Sequence, residues 1–136
     1  MDSVSITIDA VEYERLRESQ RVLLTLFENL PVMIYRCNND ADWSMEFVSE
    51  GCRGLTGYDP AALTSGRVTY ASIIQPADRD RVWDGVQAAL QARSSFSLTY
   101  CITTASGEER WVWEQGQGVF DSHGELQGIE GFIIDV

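Results

Sequence analysis

Three cysteines, one histidine and a handful of paired acids are the side chains with which this sequence would have to do chemistry. Cys37, Cys52 and Cys101 are odd in number and show no CxxC spacing, so neither a disulfide framework nor a zinc site is expected. His123 stands in a Ser-His-Gly turn, an exposed setting that suits neither a metal nor a Ser-His-Asp relay. Glu108-Glu109 and Asp78-Asp80 have the composition of an acid/base couple. The first falls at a hairpin turn and the second at a helix start, where solvation accounts for both. All ten basic residues are arginine, which excludes Schiff-base chemistry, a P-loop lysine and a lysine base. On the strands, Glu114 is the one carboxylate that, if buried with a raised pKa, would serve a small enzyme. Trp111 and Trp113, two apart, share a strand face from which they would line a pocket, cover the sheet or meet a partner.

The elements that must position these residues follow from periodicity. Asp9 to Leu30 reads as an amphipathic helix: Asp9 and Glu12 have capping-box spacing, Ile8 and Tyr13 the spacing of a hydrophobic staple, and Pro31 ends it. Its apolar positions Leu16, Leu23 and Leu30 recur every seven residues, joined by Leu26 and Phe27. These are the candidates for a dimer or signalling helix, with packing on the helix's own domain as the alternative. Met33 to Arg36 and Glu46 to Ser49 then form a hairpin about a polar turn. Three short helical pieces follow, punctuated by Gly54, Gly57, Asp59-Pro60 and Ser65-Gly66, and Pro76 opens a long helix carrying Val82, Trp83, Val86 and Leu90. Ser95 to Thr104 alternates strictly, placing Phe96, Leu98, Tyr100 and Ile102 on one face. Glu109 to Phe120 and Glu125 to Val136 complete three hairpin-linked strands. The last run is apolar on both alternating sets, the pattern of a strand covered on both faces.

At 136 residues with 44% hydrophobic content there is room for one core: a flanking helix over 1–30 and a single α+β domain over 31–136. Its five strands make one antiparallel sheet, with the short helices and the long helix on one face and the N-terminal helix available to the other. A net charge of -11 repels phosphate backbones and anionic bilayers, so no nucleic acid and no direct membrane contact are expected. No apolar run reaches membrane-spanning length, and a reduced cytoplasmic setting is expected.

The element order, with Glu46-Phe47-Val48-Ser49, Cys52-Arg53-Gly54-Leu55-Thr56-Gly57-Tyr58, Ile74-Gln75-Pro76-Ala77-Asp78-Arg79, the stretch from Gly107 to Phe120, Asp121 to Gly124 and Gly131 to Val136, resembles the PAS family. The likeness runs from about Asn29 to Val136, with Gln75 and Ala77 departing from the family's "HPDDR" entry to the long helix. It implies a PAS fold and a non-enzymatic sensory or regulatory module of a bacterial signalling protein. The final Asp135-Val136 is similar to the motif that leads many such domains into an output helix. The implied partners are therefore an effector domain in the same full-length chain (a diguanylate cyclase, histidine kinase or transcriptional output) and a second copy in a homodimer.

The family's cofactor chemistries can be compared residue by residue. Gly66-Arg67-Val68-Thr69 has no cysteine where the flavin-binding photoreceptors carry theirs, and Asp78 to Arg93 has no histidine to serve as a haem ligand. No cofactor is expected. Cys52 reads as a packed or partly exposed structural cysteine. A non-covalent small molecule would bind where a pocket opens among Met33, Tyr35, Phe47, Leu55, Ile73, Trp83, Val86, Leu98 and Tyr100, which otherwise form the core. Two alternatives stand beside the sensory reading: a small cone-like α+β enzyme of isomerase or hydrolase type, and a pocketless protein-interaction module.

Overall fold

The structure, a computed structural model, describes residues 3–28 and 31–136, with side chains for 10–26 and from 31 onward. Helix α1 (Ser3–Glu28) precedes β1 (Val32–Cys37) and β2 (Met45–Val48). Helices α2 (Cys52–Thr56), α3 (Pro60–Thr64) and α4 (Tyr70–Ile73) lead to the long α5 (Pro76–Ala92), and β3 (Phe96–Thr103), β4 (Glu109–Phe120) and β5 (Leu126–Asp135) close the fold. The five strands make one antiparallel sheet in the order β2-β1-β5-β4-β3, so the last strand to form in sequence sits at the centre.

Period-two alternation decides what each face carries. Met33, Tyr35 and Cys37 of β1, Tyr100 and Ile102 of β3, Val112 and Glu114 of β4, and Ile129 and Ile133 of β5 turn inward under the helices and are buried. Leu55, Ile73, Val82, Val86 and Leu90 come down on them from α2, α4 and α5. The long helix is pinned to the sheet at its start. Asp78 accepts the Cys101 backbone N–H at 3.0 Å, and the Gln75 N–H donates to the Cys101 carbonyl at 2.9 Å. Asp78 therefore has a structural role: it sits in the first turn, where the helix dipole favours an anion, and ties α5 to β3.

Several expectations need correction. Helix α1 starts at Ser3, so Asp9 lies within it; with no glycine or proline from Ser3 to Glu28, propagation is easier than a new start. The Ile8 staple, Phe27 and Leu30 lie outside the residues whose side chains are described. Gly54 sits inside α2, and the left-handed turn that ends α2 is made by Gly57, at φ 81°. Phe47 belongs to the outer face: it pairs with Arg36 across the β1–β2 ladder and is 44% exposed, because Val48 and Met45 take the inward positions. The helix α1 does not cover the outer face of the sheet, since every described side chain from 10 to 26 is exposed. Strand β5 is accordingly buried on one side only; Phe132 and Ile134 on the other remain half-buried.

Candidate functional site

The centre of the inner face holds a carboxylate among tyrosines. Glu114 of β4 is 7% exposed, and its inward direction follows from alternation with Val112 and Gly116. The Tyr35 hydroxyl from β1 donates to one carboxylate oxygen, and the Tyr100 hydroxyl from β3 donates to the other at 2.6 Å. Tyr70, from the short helix α4, meets the Tyr100 hydroxyl at 2.8 Å. Four elements thus converge on one buried acid.

Tyr35 reaches it because the sheet has a trough there. Tyr35, Gly131, Gly116 and Phe96 lie in register across β1, β5, β4 and β3. A Cβ on Gly116 would stand 2.7 Å from the Tyr35 hydroxyl and 2.6 Å from the Phe96 ring; one on Gly131 would stand 2.8 Å from the same hydroxyl. The two glycines at the middle of the sheet leave the space in which the tyrosine lies.

Electrostatically the cluster is a balance. Burial pushes the Glu114 carboxyl above its ordinary range, while the hydrogen bonds from Tyr100 and Tyr35 pull it back. Burial, reinforced by the Glu114 charge, raises the hydroxyls of Tyr35, Tyr70 and Tyr100, so they stay neutral donors. Burial also raises the Cys37 thiol beside them. The cavity against this cluster measures about 10 Å³, close to the volume a single water occupies.

Of the expected pocket residues, Tyr35 and Val86 line this cavity and Tyr100 borders it through Glu114. Met33, Leu55 and Ile73 are buried core, Leu98 packs over Gly85 of α5, and Trp83 stacks at a tilt on Trp43 with ring centroids 5.2 Å apart. Trp111 and Trp113 are on the outer face. Trp113 donates to Ser97 Oγ at 2.7 Å and meets Phe132 edge to face, while Trp111 is 56% exposed. Of the dimer candidates, Leu16, Leu23 and Leu26 are exposed at 61%, 52% and 56%. Cys52 is fully buried, its thiol donating to the Tyr58 carbonyl at 3.3 Å and pushed up to about 11 by burial. His123 is exposed in its turn, its backbone N–H held by Asp121. Among the described residues no group of His, Cys, Asp and Glu is arranged to hold a metal ion.

Sequence reasoning missed Tyr70 as a site residue. Nothing in its helical segment marks it as inward, because four residues are too few to show a period. For Glu114 the signal was present. Its parity on β4 is that of Val112, and an acid at an inward position of a central strand has to find donors.

A single antiparallel sheet with its helical block inserted between the second and third strands and laid on one face defines the class of this domain. The chain belongs to the PAS family: residues 45–133 match the family described as PAS fold. The methyl sulfide methyltransferase-associated sensor of Methanosarcina acetivorans is 31% identical over 120 residues, a match that takes in 88% of this chain and 12% of the sensor. A sensory box histidine kinase/response regulator from Burkholderia thailandensis E264 has a solved structure that superposes with a TM-score of 0.62 at 28% identity, over 78% of this chain and 77% of the other. The PAS domain of a protein from Colwellia psychrerythraea shares the fold with a TM-score of 0.72 at 14% identity, over 87% and 95% of the two chains. The chain therefore corresponds to about an eighth of the length of its curated sensor relative, and a sensory or regulatory role follows from its family. No described helix is long and apolar enough to cross a membrane.

Proposed function

We propose that this chain is a non-catalytic PAS module that acts as a homodimer, joined along α1, and passes a non-covalent change to an effector domain of the same full-length protein. The observation that carries this reading is the state of α1. Seventeen successive residues of a helix, including Val11, Leu16, Val22, Leu23, Leu24 and Leu26, are exposed, with no part of the domain covering their apolar side chains. A solitary helix in water is marginal, and an exposed apolar stripe on it finds its stability in a partner. A second copy presents the same stripe and makes a symmetric contact. The much longer sensor relative, and the similar PAS structures that come from a histidine kinase, a diguanylate cyclase and a LuxR-family transcriptional regulator, support an effector of one of these kinds as the recipient. The acidic composition and three free, buried cysteines fit a reduced, cytoplasmic setting.

The enzymatic alternative has one observation in its favour, since Glu114 is the buried, elevated carboxyl it asked for. Both carboxylate oxygens are already engaged by tyrosines, however, and a cavity of about 10 Å³ admits no substrate carbon skeleton. The dimer is tested by sedimentation velocity. The wild-type chain is expected to sediment as a dimer and the Leu16→Asp/Leu23→Asp variant as a folded monomer. A monomeric wild type, or a variant that still dimerises, refutes the contact.

A further inference from the structure

The Glu114 cluster has a hydrogen count that fits only one protonation state. Three contacts join its members: Tyr35 to Glu114, Tyr100 to Glu114, and Tyr70 to Tyr100. With Glu114 ionised the three tyrosyl hydrogens fill those three contacts and each oxygen of the carboxylate accepts one. With Glu114 protonated there are four hydrogens for the same three contacts, so one must turn away and find another acceptor. The adjoining cavity, of about one water's volume, is the space into which it turns. Hydrogen bonding therefore selects the anion.

The surroundings select the acid. Facing the carboxyl, β1 contributes Tyr35 and Cys37, α4 contributes Tyr70 and β3 contributes Tyr100, all neutral groups. The helix α5, strand β2 and strand β5 present only apolar side chains there, Val82, Val86, Met45 and Ile129. No arginine or histidine lines the cavity, so the anion has no cation to offset its burial. Two opposed demands meet at one group, burial favouring the acid and the tyrosine hydrogen bonds the anion.

We propose that Glu114 is a proton-binding site and that its loading is an input this module reads. The inference rests on the sensory reading of the chain. One proton moves from solvent to a carboxylate oxygen, no other bond changes, and one tyrosyl hydroxyl reverses from donor to acceptor. The strands that hold the cluster are the ones that lead outward. Tyr35 is the fourth residue of β1, the strand that follows α1, and Glu114 pairs with Ile133 near the end of β5. Val136 beyond it is held by the Trp111 carbonyl at 3.1 Å. Reversal of the Tyr35 contact acts on the strand nearest the dimer helix.

The test uses the 136-residue chain carrying carbon-13 in its glutamate carboxyls. Infrared spectra across a pH series report protonated carboxyl, and hydrogen exchange, corrected for the intrinsic rate, reports the opening of β1 and β5. The expected result is one protonated-carboxyl band that persists above the ordinary glutamate range and is absent in Glu114→Gln. Exchange in β1 should accelerate with the same midpoint, by up to about tenfold per pH unit crossed. Tyr35→Phe removes one donor to the anion and is expected to move the transition to higher pH, which keeps the test open if Glu114→Gln does not fold. Ionisation of Glu114 together with the surface carboxyls, or β1 exchange indifferent to the transition, overturns the proposal. Neither result touches the α1 dimer, which sedimentation judges separately.

Discussion

Replacing Glu114 by glutamine keeps the shape of the side chain between Tyr35 and Tyr100 while removing its ability to ionise. The folded-state carboxyl is raised from 4.5 by burial, so the folded protein binds this proton more tightly than the unfolded chain does. For a group raised on folding, the stabilising contribution is complete below the unfolded value and is lost as pH climbs through the folded one. Each unit of elevation corresponds to about 1.4 kcal/mol. Wild type should therefore lose stability relative to Glu114→Gln across the window that starts near the ordinary glutamate range and ends at the elevated one, with a constant gap above it. In a domain of this size 1 kcal/mol moves Tm by roughly 3–5 °C, so the gap between the two proteins is read as a Tm difference that widens as pH rises through this window. The assay is paired thermal denaturation of the two proteins by circular dichroism across a pH series. Comparing the pair cancels most of the effect of the -11 net charge, which both sequences carry to within one unit. A gap independent of pH, or a wild type that gains on the variant as pH rises, would refute the reasoning.

Gly131→Ala places a methyl against the Gln115 carbonyl, the Gly116 backbone and the Tyr35 hydroxyl; since two of the three are backbone, a loss of about 2–4 kcal/mol is expected in urea denaturation. Asp78→Ala frees the Cys101 N–H and removes an anion from the first turn of α5, for about 1–3 kcal/mol by the same assay, whereas Asp80→Ala should lie within about 0.5 kcal/mol. Cys52, buried with its thiol near 11, should react with iodoacetamide at pH 8 only at the rate of local opening, and added urea should accelerate labelling sharply.

Much of the fold was legible because its signals are short in range. Strict alternation from Phe96 to Ile102 fixes which face of β3 is inward, and proline marks the start of α3 and α5. β3 matches its expected bounds to within a residue, and α3 and α5 begin at the prolines that mark them. What failed depends on register between distant segments. Phe47 has the hydrophobicity of a core residue, yet the shift between Arg36 and Cys37 in the β1–β2 ladder lets Met45 and Val48 both face inward and turns Phe47 out. The candidate site failed for a related reason. Tyr35 and Tyr100 were visible as inward residues, but the trough that lets Tyr35 reach Glu114 exists only because Gly131, about a hundred residues further along the chain, and Gly116, about eighty residues further along, fall in register with it.

The pleat of β5 connects the inner cluster to the outer surface. Gly131 faces the Tyr35 hydroxyl on the inner side, and its neighbour Phe132 faces outward against Trp113, within a groove that also holds Pro31, Ile34 and Ile134. Because adjacent residues of a strand point to opposite faces, a local change of twist at Gly131 moves Phe132 as well. Pro31, which immediately precedes β1, lines the same groove. Beside the direct contact of Tyr35 with Glu114, a second physical route from the buried carboxyl toward β1 therefore crosses β5 at a glycine. A bulky residue at the outer position, as in Phe132→Trp, should alter the exchange response of β1 to pH while leaving the Glu114 infrared transition in place; a shift of both together would mean that the two faces do not act as separable steps.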